Sequence, residues 1–361
     1  MSLPPPRPRC ATECGLVLPI DARVSNIQGI YACTRPFRHA GPRIEVQRIR
    51  QKNVVHNYGH GGAGWSVSWG SSRLALRLAQ NADTGMRRLG VIGCGPLGLT
   101  SAILAQRAGL SVCIYTKAVP PEVSSMGAVG MWSPDSRFCD AQHAASWDAG
   151  WRQMANDAFA MHQSMLQLPN HPIEWFSGYK LSDAPFDSDT LDCGEPEYAK
   201  FKNDFLPPQV DLPAATHPFP QPYARCWTGL MFNITLYAEM LMSGFVSAGG
   251  EIVIREFQHP DELSDLNEST LINATGYGAR ALFNDDSIIP VRGQTVRLAP
   301  QPKINYGLRA HHFLVVPRRD GLVVQDVNER GFFNNDDDTP DQNAAEEVIE
   351  QLAEFVTRMQ C

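Results

Sequence analysis

Residues 87–115, RRLGVIGCGPLGLTSAILAQRAGLSVCIY, constrain the fold more than any other stretch of the chain. A short apolar strand runs into Gly93, Gly95 and Gly98, then an amphipathic helix ending near Gly109, then a second apolar strand at 111–115. In such a turn the first glycine makes the tight bend and the second lets backbone approach a pyrophosphate. The third lets the helix pack closely on the strand, and phosphates sit at the helix N-terminus. A lone GxGxxG is weak evidence; flanked by strand and helix it predicts a dinucleotide-binding unit, with Pro96 and Leu97 opening the helix beside the ligand. The usual acidic residue for the ribose hydroxyls is missing, since Tyr115, Thr116, Lys117 and Ala118 end the second strand. The adenosine contacts therefore differ from the common pattern.

With 361 residues, 43% of them hydrophobic, the chain is long enough for two domains and a sizeable core. No apolar run approaches the roughly 20 residues that cross a bilayer, and the opening MSLPPPRPRC lacks the apolar centre of a secretory signal. A cytoplasmic protein with no membrane partner is the expectation. Nine cysteines are scattered without a CxxC or a Cys/His spacing suited to a metal, so reduced thiols are expected. The net charge of -7, with no basic run, argues against a nucleic-acid partner.

A glycine-rich string, VVHNYGHGGAGWSVSWG at 54–70, precedes this unit, although the strand of a dinucleotide unit usually starts its domain. His56 and His60 are four apart, as in some helical zinc sites, but the glycines between and after them make a helix there improbable. Ordinary packing is the expected fate of both histidines, and no metal is expected.

Five segments together are more specific than the fingerprint: TRPFRHAGPRIE at 34–45, the string at 54–70, PPEVSSMGAVGMWSP at 120–134, LINATGYGAR at 271–280 and IPVRGQTVRL at 289–298. They resemble the successive signatures of the D-amino-acid oxidase family of FAD flavoproteins. In that family the blocks similar to 34–45 and 54–70 close the chain, whereas here they come first, so the sequence resembles a circular permutant. The helix expected in NAAEEVIEQLAEFVTRMQC, with apolar Val348, Ile349, Leu352 and Phe355, would run on in the family into a turn similar to residues 10–24. The former ends would be joined through residues 71–88, read as a helix and a polar turn.

The resemblance implies an α/β fold in which a Rossmann-like FAD-binding domain (54–135 plus 226–285) interleaves with a β-rich α+β substrate domain (1–53, 136–225 and 286–361). Strands are expected in GGEIVIREF, LINATG, INYGLRA, HHFLVVP and GLVVQDV, and long loops over 180–223. Arg35 would bind the substrate carboxylate, a job for a planar guanidinium fork, although Thr34 replaces the family's glycine. The backbone carbonyl of Gly62 would meet the substrate amine. Gly61, Gly64, Trp65 and Ser66 match the loop along the flavin ring, Ser124, Ser125, Gly130 and Met131 the loop over pyrophosphate and flavin, and Thr275 and Gly276 the turn that covers the cofactor. Phe257, beyond the strand in GGEIVIREF, completes the cofactor set.

The implied reaction moves the α-hydrogen of a D-amino acid, or a related amine, as hydride to flavin N5. The imine leaves, and dioxygen takes the electrons as hydrogen peroxide. Three departures concern the substrate pocket. Leu314 stands where the family has a carboxylate-binding tyrosine, and Gln325, Asp326 and Val327 replace a Gly-Gly-Thr. Arg309, His311 and His312 crowd the segment similar to the active-site lid, with solvation their expected role. A flavin dehydrogenase with another acceptor or substrate, and a family member that binds FAD without turnover, stay open as alternatives. A homo-oligomer is compatible with all three.

Overall fold

The computed structural model describes residues 17–186, 204–310, 313–327 and 332–360. In chain order its main elements are β1 (Ile27–Phe37), β2 (Arg43–Ile49), β3 (Lys52–Tyr58), α1 (Gly64–Ala82), β4 (Arg88–Ile92), α2 (Pro96–Arg107), β5 (Ser111–Thr116), α3 (Ala144–Ser164), β6 (Ile173–Ser182), β7 (Val210–Leu212), β8 (Tyr223–Phe232), α4 (Ile234–Ser247), β9 (Glu251–Ile254), β10 (Thr270–Asn273), α5 (Ala279–Leu282), β11 (Ile289–Leu298), β12 (Tyr306–Ala310), β13 (Phe313–Arg318), β14 (Gly321–Asp326) and α6 (Gln342–Thr357).

These strands form two sheets. A six-stranded sheet runs β2-β3-β10-β4-β5-β9, parallel except for β2 at its edge. Its inner strands read as nearly continuous apolar runs because both faces are covered. On one face lie α1, α2 and α4, with Leu89, Val91, Leu99, Ile114, Tyr237 and Phe245 in their core. On the other, Ile92, Tyr115, Phe257, Leu263 and Leu271 make a smaller cluster.

The eight-stranded sheet runs β1-β11-β14-β13-β12-β6-β8-β7 and is mostly antiparallel. Strand alternation sends Val296, Leu298, Leu308, Val315 and Val324 to one face, where α6 inserts Val348, Ile349, Leu352 and Phe355. All four apolar positions expected on that helix are buried. Val17, Ile20 and Ala22 join the same cluster, so the start of the described chain packs beside its end. The opposite face meets the loop at 127–128, with Thr295 Oγ1 donating to Gly127 O at 3.0 Å.

The sheets divide the chain differently from the sequence reading. β2 lies in the six-stranded sheet, although residues up to 53 were expected in the substrate domain; β8 lies in the eight-stranded sheet, although residues from 226 were expected in the FAD domain. Hydrogen bonding decides this: β2 pairs with β3 along its whole length, and β8 with β6. The helix placed in 71–88 begins earlier, at Gly64, and takes Gly70 of the glycine-rich string into its first half. Cys226 is disulfide-bonded, which corrects the expectation of thiols throughout, while Cys33, Cys94, Cys113 and Cys139 are free. Among the described residues no helix is long and apolar enough to cross a membrane.

Candidate active site

Because β3, β10 and β4 are parallel neighbours, their C-terminal ends share one edge, and there α1 and α2 begin. A seam of small hydroxyls holds the two helices side by side. Ser72 Oγ donates to Leu97 O at 3.1 Å and lies 2.8 Å from Thr100 Oγ1, while Ser101 Oγ donates to Ser72 Oγ at 2.9 Å. All three hydroxyl residues are fully buried. Gly70 lets α1 press against α3, where a Cβ would overlap Met154 O. The string SVSWGSS carried this signal, a run of small residues on one helix, but the sequence reading left it unused.

The glycine turn is built as its spacing predicts. Gly93 has φ +102°, and a Cβ there would lie 2.6 Å from Ala274 O at the end of β10. A Cβ on Gly98 would overlap Gly93 O, which is the helix-on-strand packing the third glycine serves. Gly95 is the N-cap of α2, with Pro96 in its first turn and Leu97 buried behind it. Neither α1 nor α2 has a side-chain cap or an acidic residue in its first turn, so their first amides are unclaimed by side chains.

Three further observations fit an anionic dinucleotide at this edge. The hydroxyl of Ser125 is buried with no hydrogen-bond partner among the described residues and faces Gly95, 3.7 Å from where a Cβ would stand. Cβ atoms on Gly64 and Gly276 would meet nothing within 4 Å among the described residues, so both glycines border open space. Gly276 also has φ +59°, and the Thr275 hydroxyl turns inward to Asn273 Oδ1 at 2.7 Å. Phe257 lies apart: its ring is buried edge-on to Tyr115, centroids 6.2 Å apart, in the core beneath the sheet. Ser124 is exposed at the start of the adjoining turn.

The two loops matched to the flavin ring are joined to each other. Gly62 N–H donates to Ser136 O at 2.9 Å, Ser133 N–H to Ser66 Oγ at 2.8 Å, and Trp65 Nε1–H to Ser125 O at 3.0 Å. Gly61, at φ +54°, leaves no room for a Cβ beside Arg137 O. Gly130, at φ +90°, sits so close to Phe232 that a Cβ would lie 2.5 Å from its carbonyl, and Met131 bridges to Met231.

Arg35 stands on β1, on the same face as Tyr31 and Cys33, which border Gly127. Its guanidinium donates to Arg292 O at 3.0 Å and lies flat over Gly293, where any Cβ would displace it. Gly293 was not singled out by the sequence reading, although it sits in the recognised segment 289–298. Arg318 was also missed. It is buried, donates to Ala128 O at 2.9 Å through Nη1, and pairs with Asp320, which also accepts from Thr235 Oγ1 at 2.7 Å. Burial works against the Asp320 carboxylate, but Arg318 and Thr235 hold its pKa below the usual value. This ion pair thus fixes the loop that carries Gly130.

Leu314 is buried among Phe176, Met231 and Val316, with Met131 and Trp227 packed on them. The register sets it between Gln325 on β14 and Arg309 on β12. His311 and His312 lie outside the described residues. His56 and His60 are packed as expected: His56 Nε2 lies 2.7 Å from Gln47 Oε1, and His60 Nε2 lies 2.7 Å from Ser71 Oγ. Burial lowers both pKa values to about 3, which keeps the rings neutral.

Known proteins agree with this geometry. A model of the DAO family, FAD-dependent oxidoreductases, matches residues 88–360. The chain is 26% identical over 275 residues to a D-amino-acid oxidase of Dictyostelium discoideum, covering 73% of this chain and 71% of that protein. It is 24% identical over 282 residues to a D-amino-acid oxidase of Rubrobacter xylanophilus, covering 74% and 77%. A human D-aspartate oxidase matches at 23% over 276 residues, covering 73% and 74%. Among solved structures, an iminodiacetate oxidase from Chelativorans sp. BNC1 superposes with a TM-score of 0.51 at 16% identity, covering 75% of this chain and 79% of that one. With a glycine turn, two uncapped helix starts and an orphaned hydroxyl meeting at one sheet edge, and a family match over three quarters of its length, the chain belongs to the DAO family of FAD-dependent oxidoreductases.

Proposed function

We propose that this protein oxidises the CH–NH2 group of a D-amino acid, or a related amine, to the imine. The observation that carries the reading is Arg35, whose fork is presented over Gly293 on the sheet face that looks onto the flavin-matched loop. Bound FAD supplies the two-electron chemistry, with dioxygen as final acceptor and hydrogen peroxide as product. The residues of this chain bind and orient. Gly61, Gly62, Gly64, Trp65 and Ser66 line the flavin ring; Gly95, Pro96, Leu97, Gly98, Ser124 and Ser125 hold the pyrophosphate. Gly93 and Gly130 shape the two turns, Met131 borders the ring, and Thr275 and Gly276 cover the rest of the cofactor, while Phe257 stays in the core beneath the sheet. The carbonyl of Gly62 accepts from the substrate amine. Arg35 clamps the carboxylate, and the contact of the tyrosine replaced by Leu314 is lost.

An anaerobic screen of amino acids of both hands tests this. A D-amino acid should bleach the bound flavin, and admitting air should restore the colour with peroxide. Bleaching by L-amino acids only, or by none, would sink the reading, and slow recolouring would point to another acceptor. In the same assay Arg35→Ala should raise KM roughly 100-fold, about 3 kcal/mol of a charge-assisted contact, without rescue by Arg35→Lys.

We also propose that the order of segments is a circular permutation of the family's. Support comes from the family match starting at β4 and from the packing of residues 17–22 beside α6. A chain rewritten to start at residue 88, with its end joined through residues 10–24 to finish near residue 82, should fold and bind FAD. Failure of that chain to retain flavin would count against the permutation.

A further inference from the structure

We propose that the free edge of β9 is where a second copy of this chain docks, strand against strand and antiparallel, about a two-fold axis at Val253. β9 ends the six-stranded sheet, and among the described residues β5 is its one neighbour in the sheet order. Edge strands are normally protected by charge, proline or a cover. Here Val253 is 40% and Ile254 65% exposed, and Val246, at the end of the helix leading into the strand, is 51% exposed. These are three large apolar side chains within nine residues, on an element that could otherwise be polar at no cost to the core.

The backbone fixes which groups face outward. Arg255 donates its amide inward to Thr116 O at 2.9 Å, continuing the β5 ladder. By the two-residue alternation of a strand, Ile252 and Ile254 turn their N–H and C=O groups to the open side. If two copies pair with residue 252 opposite 254 of the partner strand, each such pair exchanges both hydrogen bonds, and the axis falls at Val253.

The side chains agree with this register and identify the occupant. Read antiparallel to itself, E-I-V-I-R sets Glu251 opposite Arg255 of the second copy, and Arg255 opposite its Glu251. Both ion pairs lie on the same face as the apposed Val253 side chains, while Ile252 and Ile254 meet on the other. The strand is thus complementary to itself in apolar contact and hydrogen-bond phase, and in charge where Glu251 of the second copy joins the ion pair that Arg255 makes with Asp265 at 3.4 Å in its own chain. A register shifted by two residues keeps the hydrogen bonds but loses both opposite-charge pairs. Directly opposed strand neighbours interact at Cβ distances of about 5 Å, where like charges destabilise and opposite charges stabilise.

Sedimentation of the FAD-loaded protein over a range of concentrations, with charge-swapped variants, tests this. The wild-type chain should dimerise. Glu251→Arg and Arg255→Glu should each weaken the dimer roughly tenfold or more, because each places two like-charge pairs across the axis. An equimolar mixture of the two variants should recover dimers, as should the double variant, since both arrangements restore opposite charges. Ile254→Lys, on a largely exposed side chain, should leave a folded, FAD-bound monomer. A wild-type monomer at high micromolar concentration would overturn the proposal. So would a dimer indifferent to Ile254→Lys, or charge swaps that weaken it without recovery on mixing.

Discussion

At the end of β4 the protein makes room by leaving side chains out, whereas on the eight-stranded sheet it sets position with long charged ones. Around the glycine turn, Gly93, Gly98 and Gly61 each bring backbone against backbone, and a single Cβ would collide with a carbonyl. On the large sheet the corresponding work falls to Arg35 over Gly293 and to buried Arg318, paired with Asp320 and tied to Ala128. The first device depends on local chain geometry and tolerates almost no substitution. The second depends on partners from distant segments, so it can be retuned, as Leu314 in place of a tyrosine suggests. The glycine turn and the arginine contacts of the large sheet therefore differ in how freely they can change.

The largest effect that could break this contrast belongs to Arg318. Arg318→Leu should cost about 2–3 kcal/mol in unfolding free energy, because the half-buried Asp320 carboxylate loses its main partner. Urea titration measures it, and a loss under about 1 kcal/mol would show that charge does not hold this loop.

Two glycines sharpen the other side. Gly98→Ala should cost about 1–3 kcal/mol, because its Cβ overlaps Gly93 O. Gly64→Ala should leave the FAD-free protein as stable or about 0.5–1 kcal/mol more so, since it adds a Cβ to open space on a helix. Yet it should weaken FAD binding roughly tenfold, about 1.4 kcal/mol, by filling space the flavin takes. Calorimetry of the FAD-free protein and flavin titration separate the two. An unchanged flavin affinity in Gly64→Ala would remove that residue from the site.

Much of the fold was legible because its signals are local. The turn at Gly93, the strand at 111–115 and the helix at Gln342–Thr357 follow from periodicity and glycine placement over short windows, while the strand in 251–254 came with the family resemblance. The candidate site was legible mainly where backbone makes it, at Gly61, Gly64, Gly95 and Gly276. Arg318 and Gly293 were not, because nothing around them in the chain distinguishes an arginine buried with Asp320, or a glycine cleared for Arg35, from a surface residue and an ordinary turn. Phe257 was misjudged for a related reason: an aromatic residue after a strand can cover a ligand or complete a core, and its neighbours Tyr115 and Leu263 decide which.

The sequence by itself determined that a strand, three glycines and a helix N-terminus form a tight turn with a bare backbone, since backbone sterics act over a few residues and need no distant partner. Only the tertiary structure decided which sheet received β2 and β8, how Ser125 came to face Gly95, and that β9 ends its sheet among the described residues. Those outcomes depend on hydrogen bonds and packing between segments far apart in the chain. Their free energy exists only once the chain has closed on itself, and no local window of residues contains it.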